Sequence, residues 1–123
     1  MRVILINPPI DSVIENGSVS PVTQFLFYNS APLGILYIAA ILEQAGHEVA
    51  VIDAAAELLN VEGTVQRIEE FNPDVIGLGS FTVTFETTKK LGRLIKAALP
   101  DVPIILGSYH VTLVPEEAMS NTC

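Results

Sequence analysis

A chain of 123 residues, half of them hydrophobic and with a positive mean hydropathy of +0.48, can build one domain with its own core and is too apolar to stay disordered. Fourteen acidic residues against six basic ones leave a net charge of −8, which repels nucleic acid and anionic membrane surfaces and sets both aside as partners. Cys123 is the only cysteine, so no disulfide framework, CxxC pair or zinc spacing exists, and with no run long enough for a signal peptide or membrane span a soluble, cytoplasmic protein is expected.

Val3-Ile4-Leu5-Ile6 is a continuous β-branched run closed by Asn7-Pro8-Pro9, where proline can neither donate to a ladder nor extend a strand, and it predicts a buried first strand. From Pro8 to Ala31 there is no periodic pattern. A loop of that length is expected to be a lid or an interface, and it carries the aromatic cluster Phe25, Phe27 and Tyr28. A plain tuck of those rings back into the core is the competing reading.

Ser30-Ala31-Pro32 opens a first helix with Leu33, Leu36, Tyr37, Ala40 and Ile41 at helical spacing and Gly46 just past its end. Gly34 inside it suggests a close approach. Val49-Ala50-Val51-Ile52 is a second strand ending at Asp53. Val61, Val65 and Ile68, with Phe71 beyond, give a second helix its inner stripe, and Asn72-Pro73 ends it.

Asp74 to Gly79 reads as a third strand, buried on both faces, after which the polarity turns abruptly to Ser80-Phe81-Thr82-Val83-Thr84. Ligands in an open parallel sheet bind beyond the carboxyl ends of the strands, so Ser80, Thr82 and Thr84 stand in the right place. Equally, Thr84 can cap the next helix and Ser80 can satisfy a backbone group. A third helix buries Leu91, Leu94, Ile95, Ala98 and Leu99 and exposes Lys89, Lys90, Arg93 and Lys96. Pro103 to Gly107 is a fourth strand, and Pro115-Glu116-Glu117 starts a fourth helix with acids in its first turn.

This order predicts an α/β fold, a flavodoxin-like doubly wound parallel sheet with strand order 2-1-3-4. The fifth strand usual in such sheets is missing, so residues 1–123 are expected to be a fragment of a longer protein. An open fourth strand would then invite self-association.

Other uses of the architecture fail on residues. No G-x-G-x-x-G joins the first strand to the first helix, so Asp53 is expected to be a cap or a solvated end residue and not a ribose ligand. A phospho-receiver needs an acidic pair and an Asp where Asn7 and Ser80 stand. His47 lies in a turn, His110 has no partner at motif spacing, and no carboxylates pair. No catalytic residue and no metal ligand is expected in this chain.

The residues do carry a resemblance. Val3 to Pro9, Ala31 to Val49, Val51-Ile-Asp, Pro73-Asp-Val-Ile-Gly and Leu106-Gly-Ser-Tyr-His-Val-Thr, in this order and over nearly the whole chain, resemble the amino-terminal cobalamin-binding domain of cobalamin-dependent radical SAM enzymes. The resemblance implies the same flavodoxin-like fold, with cobalamin (vitamin B12) over the carboxyl edge of the sheet and its nucleotide tail beside the loops after strands three and four. It places the cofactor at Asn7-Pro8-Pro9, Ser80-Phe81-Thr82 and Gly107-Ser108, with His110 alongside the tail. Ser80 and Thr82 would offer hydroxyls, and Gly107 would leave room. Ser108 stands where the family commonly has the second of two glycines. Histidine-ligating cobalamin proteins resemble one another in an Asp-x-His-x-x-Gly motif; here the acid is Asp11 and the position two further on is Val13, so no histidine of this chain is expected on the metal.

A radical SAM enzyme holds its iron-sulfur cluster through CxxxCxxC, which a chain with one cysteine lacks. Cluster, S-adenosylmethionine site and reaction, a methyl transfer or a cyclisation, are therefore expected in a radical SAM domain outside this chain. The alternatives are a cofactor-free scaffold or interaction module of the same fold, or a small-molecule sensor.

Overall fold

In the computed structural model, which describes residues 1–10 and 20–122, the Val3 to Ile6 run lies in the interior of the sheet as β1 (Arg2–Asn7). It pairs in parallel with β2 (Glu48–Asp53) on one side and β3 (Val75–Gly79) on the other, and β3 pairs in parallel with β4 (Ile104–Gly107). The strand order is β2-β1-β3-β4, as predicted, and β4 is an edge of the sheet among the described residues.

Side-chain alternation divides β1 between two cores. Ile4 and Ile6 join Ile52, Ile76 and Leu78 beneath α3 (Val61–Phe71) and α4 (Phe85–Ala98), where Ile68, Leu91 and Ile95 are fully buried. Val3 and Leu5 face the other way, where only Ala39 of α2 (Leu33–Gln44) is buried against them, with Ile35 and Leu42 partly buried beside it. Leu5 also packs on the residue opposite: a Cβ on Gly77 would lie 2.6 Å from Leu5 Cδ2, so a larger residue in the middle of β3 would have to displace the end of that side chain. The amino end of the sheet is tied down by Arg2. Its guanidinium donates to the Phe71 carbonyl at 2.7 and 3.1 Å and to Glu48 at 3.0 Å, and lies 4.5 Å over the Phe71 ring, while its amide donates to Asp74 at 2.7 Å.

Several expectations need correction. The segment read as a featureless loop contains α1 (Pro21–Asn29), started by the Ser20 hydroxyl accepting from the Thr23 amide at 3.2 Å with proline at the first helical position. Residues 11–19, Asp11 and Val13 among them, lie outside the described residues, as do the side chains of Phe27 and Tyr28. On α2 the stripe Leu33, Leu36, Tyr37, Ala40 and Ile41 faces solvent. On α4, Ala98 is exposed, and Lys89 is largely covered because its stem crosses the Phe85 ring, Nζ 5.2 Å from the centroid. A short helix, α5 (Tyr109–Leu113), precedes α6 (Pro115–Thr122), so His110 is helical and not in a loop. No helix of the described residues is long and apolar enough to cross a membrane.

Candidate functional site

Parallel strands end at a common edge, and the order of this sheet reverses between β1 and β3, so the carboxyl ends of these two strands and β4 frame the position where doubly wound sheets take ligands. The register puts Gly79 opposite Gly107. Beyond that pair the chains stay joined: the Ser80 amide donates to the Gly107 carbonyl at 3.0 Å, and the His110 amide donates to the Ser80 carbonyl at 3.3 Å. The β3 and β4 segments expected at the site are therefore one unit.

Within this unit Thr82 Oγ1 lies 3.3 Å from His110 Nδ1, and the His110 ring packs on Phe85 with centroids 4.1 Å apart. Thr84 occupies the cap position of α4 but makes no capping bond there; its hydroxyl instead meets the Phe81 amide at 3.1 Å and the Phe81 carbonyl at 3.2 Å, closing the 3-10 turn Thr82–Thr84. Among the described residues two buried polar atoms have no hydrogen-bond partner, Ser80 Oγ and His110 Nε2. An orphaned buried hydroxyl forfeits about 1–3 kcal/mol, which a ligand's polar group would restore.

Space and strain are both present here. A Cβ on Gly107 would meet nothing within 4 Å. Ser108 has φ 82° and ψ −178°, a region essentially reserved for glycine. The serine found where the resemblance has a second glycine is thus held in a glycine conformation.

The β1 end takes a different part. Asn7 donates its amide to Asp53 Oδ1 at 2.9 Å, and Pro8 and Pro9 are buried, with Pro8 Cδ 3.9 Å from where a Cβ on Gly79 would lie. These residues form a wall of the edge, and the Asn7 amide is committed to Asp53. Asp53 also accepts from the Ala56 amide at 3.4 Å in the turn that follows β2; no helix starts there, since α3 is capped by Asn60, so Asp53 is not the helix cap that was one of its two expected roles. A recess of about 490 Å³ opens further along, on the β2 side, lined by residues including Pro32, Leu36, Val51 and Glu57, and it includes none of the expected site residues.

Sequence reasoning missed Tyr109 and Phe85. Phe81 and Tyr109 stand two residues past the paired glycines, and their rings lie 6.0 Å apart, with Tyr109 73% exposed. Their equal offset from Gly79 and Gly107 becomes a signal only once the register pairs those two glycines. With Val83 and Leu113 also exposed, the strand-end unit has an apolar, partly aromatic rim around its hydroxyls. Among the described residues no group of three or more His, Cys, Asp or Glu side chains could hold a metal ion.

Fold and edge together define a flavodoxin-like ligand-binding domain with its polar groups at the ends of β3 and β4. The chain belongs to the B12 binding domain family, whose model matches residues 22–123. It is similar to an uncharacterized methyltransferase of Pyrococcus horikoshii, 29% identical over 121 residues, covering 97% of this chain and 24% of that protein. A cytidylyl-2-hydroxyethylphosphonate methyltransferase of Streptomyces wedmorensis is 29% identical over 108 residues, covering 73% and 20%. An anaerobic magnesium-protoporphyrin IX monomethyl ester cyclase of Synechocystis is 30% identical over 114 residues, covering 91% and 21%. The chain thus spans about a fifth to a quarter of these relatives. No solved structure matches it significantly.

Proposed function

We propose that this chain binds cobalamin at the β1, β3 and β4 ends and presents it to a radical SAM catalytic domain in a longer polypeptide. The observation that carries the reading is the buried, unpartnered Ser80 hydroxyl, on a residue whose backbone amide is bonded to the carbonyl of Gly107, where an added Cβ would meet open space. That pairing fits a slot for a polar tail: the hydroxyl offers a hydrogen bond, and the absent Cβ leaves room for close approach. Thr82 and Ser108 add hydroxyls, and the Phe81 and Tyr109 rings offer flat apolar surface to a macrocycle. Asn7, Pro8 and Pro9 brace the other side of the crevice, and His110 holds Thr82 in place through Nδ1.

Cobalamin, when bound, supplies a cobalt centre for group or electron transfer; the protein supplies binding, orientation and shelter. This chain offers no CxxxCxxC, so the iron-sulfur cluster and S-adenosylmethionine belong to the proposed second domain. Methyl transfer or ring closure is the reaction class that the relatives' names support.

The test is direct. Purified chain incubated with hydroxocobalamin should carry the pink colour through a desalting column, and a colourless protein fraction would favour a scaffold or a sensor. Sequencing beyond the codon for Cys123 should find a CxxxCxxC triplet, and a long downstream reading frame without one would remove the radical SAM part of the proposal.

A further inference from the structure

The outer side of α2 has no partner among the described residues. From Leu33 through Leu42 the helix carries no charged residue. The sheet uses only one side of it: Ile35, Ala39 and Leu42, at i, i+4 and i+7, pack on β1 and β2. Leu33, Tyr37 and Ile41, spaced four apart, form a ridge on the solvent side and are 63, 71 and 64% exposed, with Leu36 and Ile38 beside them at 41 and 51%. A Cβ on Gly34 would meet nothing within 4 Å, so a neighbouring backbone can come close at the start of the ridge.

Isolated exposed apolar side chains are ordinary, but five large ones on one charge-free helix face are not. A ridge along i±4 positions is the shape that interlocks with the groove of another packed element. The relatives carry ample polypeptide that could cover such a face, since the chain spans only 20 to 24% of their length.

We propose that the Leu33-Tyr37-Ile41 ridge is the seat of another part of the same polypeptide, an apolar, uncharged surface of a domain outside residues 1–123. The inference rests on the longer-polypeptide half of the reading above and is independent of cobalamin binding. It adds a second contact surface: α2 covers the Val3 and Leu5 face of the sheet, away from the Ile4 and Ile6 face with its own helices.

Tyr37→Cys in a Cys123→Ser background makes the ridge readable by maleimide labelling, followed by mass spectrometry at the peptide that carries position 37 so that cysteines elsewhere in the longer polypeptide do not count, with rates referred to the same chains in denaturant. The 123-residue chain should label at close to the denatured rate. The polypeptide from the complete reading frame should label at least about tenfold more slowly, equal to about 1.4 kcal/mol of opening free energy, and this protection should not change on dilution. Fast labelling in both forms would overturn the proposal. Slow labelling in the short chain would also overturn it, by placing the cover within residues 1–123. Protection that disappears on dilution would assign the ridge to a second copy, and a reading frame that stops at Cys123 would leave no occupant. Loss of hydroxocobalamin uptake, by contrast, would leave these rates untouched.

Discussion

The Ser80 amide and the Gly107 carbonyl, 3.0 Å apart, continue the β3–β4 ladder one step past the last paired residues, so the loop that offers a hydroxyl and the loop that offers space move together. Replacing Gly107 by leucine should therefore abolish hydroxocobalamin uptake while leaving the fold intact, because the added Cβ meets no protein atom within 4 Å. Spectrophotometric titration gives the first quantity and far-UV circular dichroism the second. An unchanged dissociation constant would rule out this site.

Ser108→Gly should stabilise the chain. The φ 82°, ψ −178° conformation costs a residue with a side chain about 1–3 kcal/mol. Glycine loses that strain but gives back roughly 0.5–1 kcal/mol of unfolded-state freedom. A net gain of about 1 kcal/mol is expected, which raises the melting temperature by roughly 4 °C in a chain of this size. Ser108→Ala keeps the strain and should melt with the wild type; if both variants do, the backbone is not strained there.

No histidine of this chain should ligate cobalt in the bound cofactor. His110 directs Nδ1 to Thr82, stacks on Phe85 and buries Nε2, so neither nitrogen is presented to the edge. His47 lies just before β2, at the opposite end of the sheet, with Nδ1 3.5 Å from the terminal amino group of Met1. In the electron paramagnetic resonance spectrum of the reduced Co(II) form, the nitrogen splitting pattern should be the same in wild type and His110→Ala. A splitting lost in the variant would show the opposite.

Helices α3 and α4 are joined at the surface by Lys90 and Glu62, 3.1 Å apart. The Glu62 carboxyl titrates below its ordinary value, first because of a hydrogen bond with its own backbone amide and second because of Lys90. A depressed carboxyl adds stability that is complete above the unfolded value of about 4.3 and is lost as pH falls through the folded one. Glu62→Gln should therefore flatten the acid limb of the urea midpoint against pH, and Lys90→Met should flatten it less. Both pH profiles overlaying the wild type would show that the pair contributes nothing.

The outer edge of β4 should mediate self-association of the chain. Ile105, in the middle of that short strand, is 62% exposed, and no described strand pairs beyond it. Sedimentation at high concentration should show association that Ile105→Lys reduces. A monomeric wild type would count against an open edge, and association unchanged by the substitution would move it elsewhere.

The strands and their order were legible because each is a short apolar run closed by Pro, Asp or Gly, and successive strands are joined through helical stretches, the connection that makes a right-handed crossover between parallel strands of one sheet. The α1 helix was missed although Ser20-Pro21 is a helix start. Its apolar residues Val22, Phe25 and Leu26 are exposed, so no inward stripe marks it. On α2 the orientation was misread because apolar residues occur on every side, and periodicity then cannot say which side the sheet takes. At the edge, Ser80, Thr82, Gly107 and His110 could be placed near one another from strand ends alone. The pairing of Phe81 with Tyr109 and the backbone of Ser108 depend on the β3–β4 register, which no local pattern encodes.

Arg2 makes the two ends of the sheet unlike. At the amino end it bonds three elements at once, through Phe71, Glu48 and Asp74, whereas at the other end two polar atoms are left unpaired. Amide hydrogen exchange should consequently run as a gradient along each strand, slow beside Arg2 and faster towards Gly79 and Gly107. Spectroscopic labels or immobilisation tethers placed at Glu48 or Asp74 would disturb the arginine bonds. Exposed positions near the amino ends of the strands that bear none of those bonds, such as Asp101, would hold the molecule by that end and leave the carboxyl ends of the strands free to be measured.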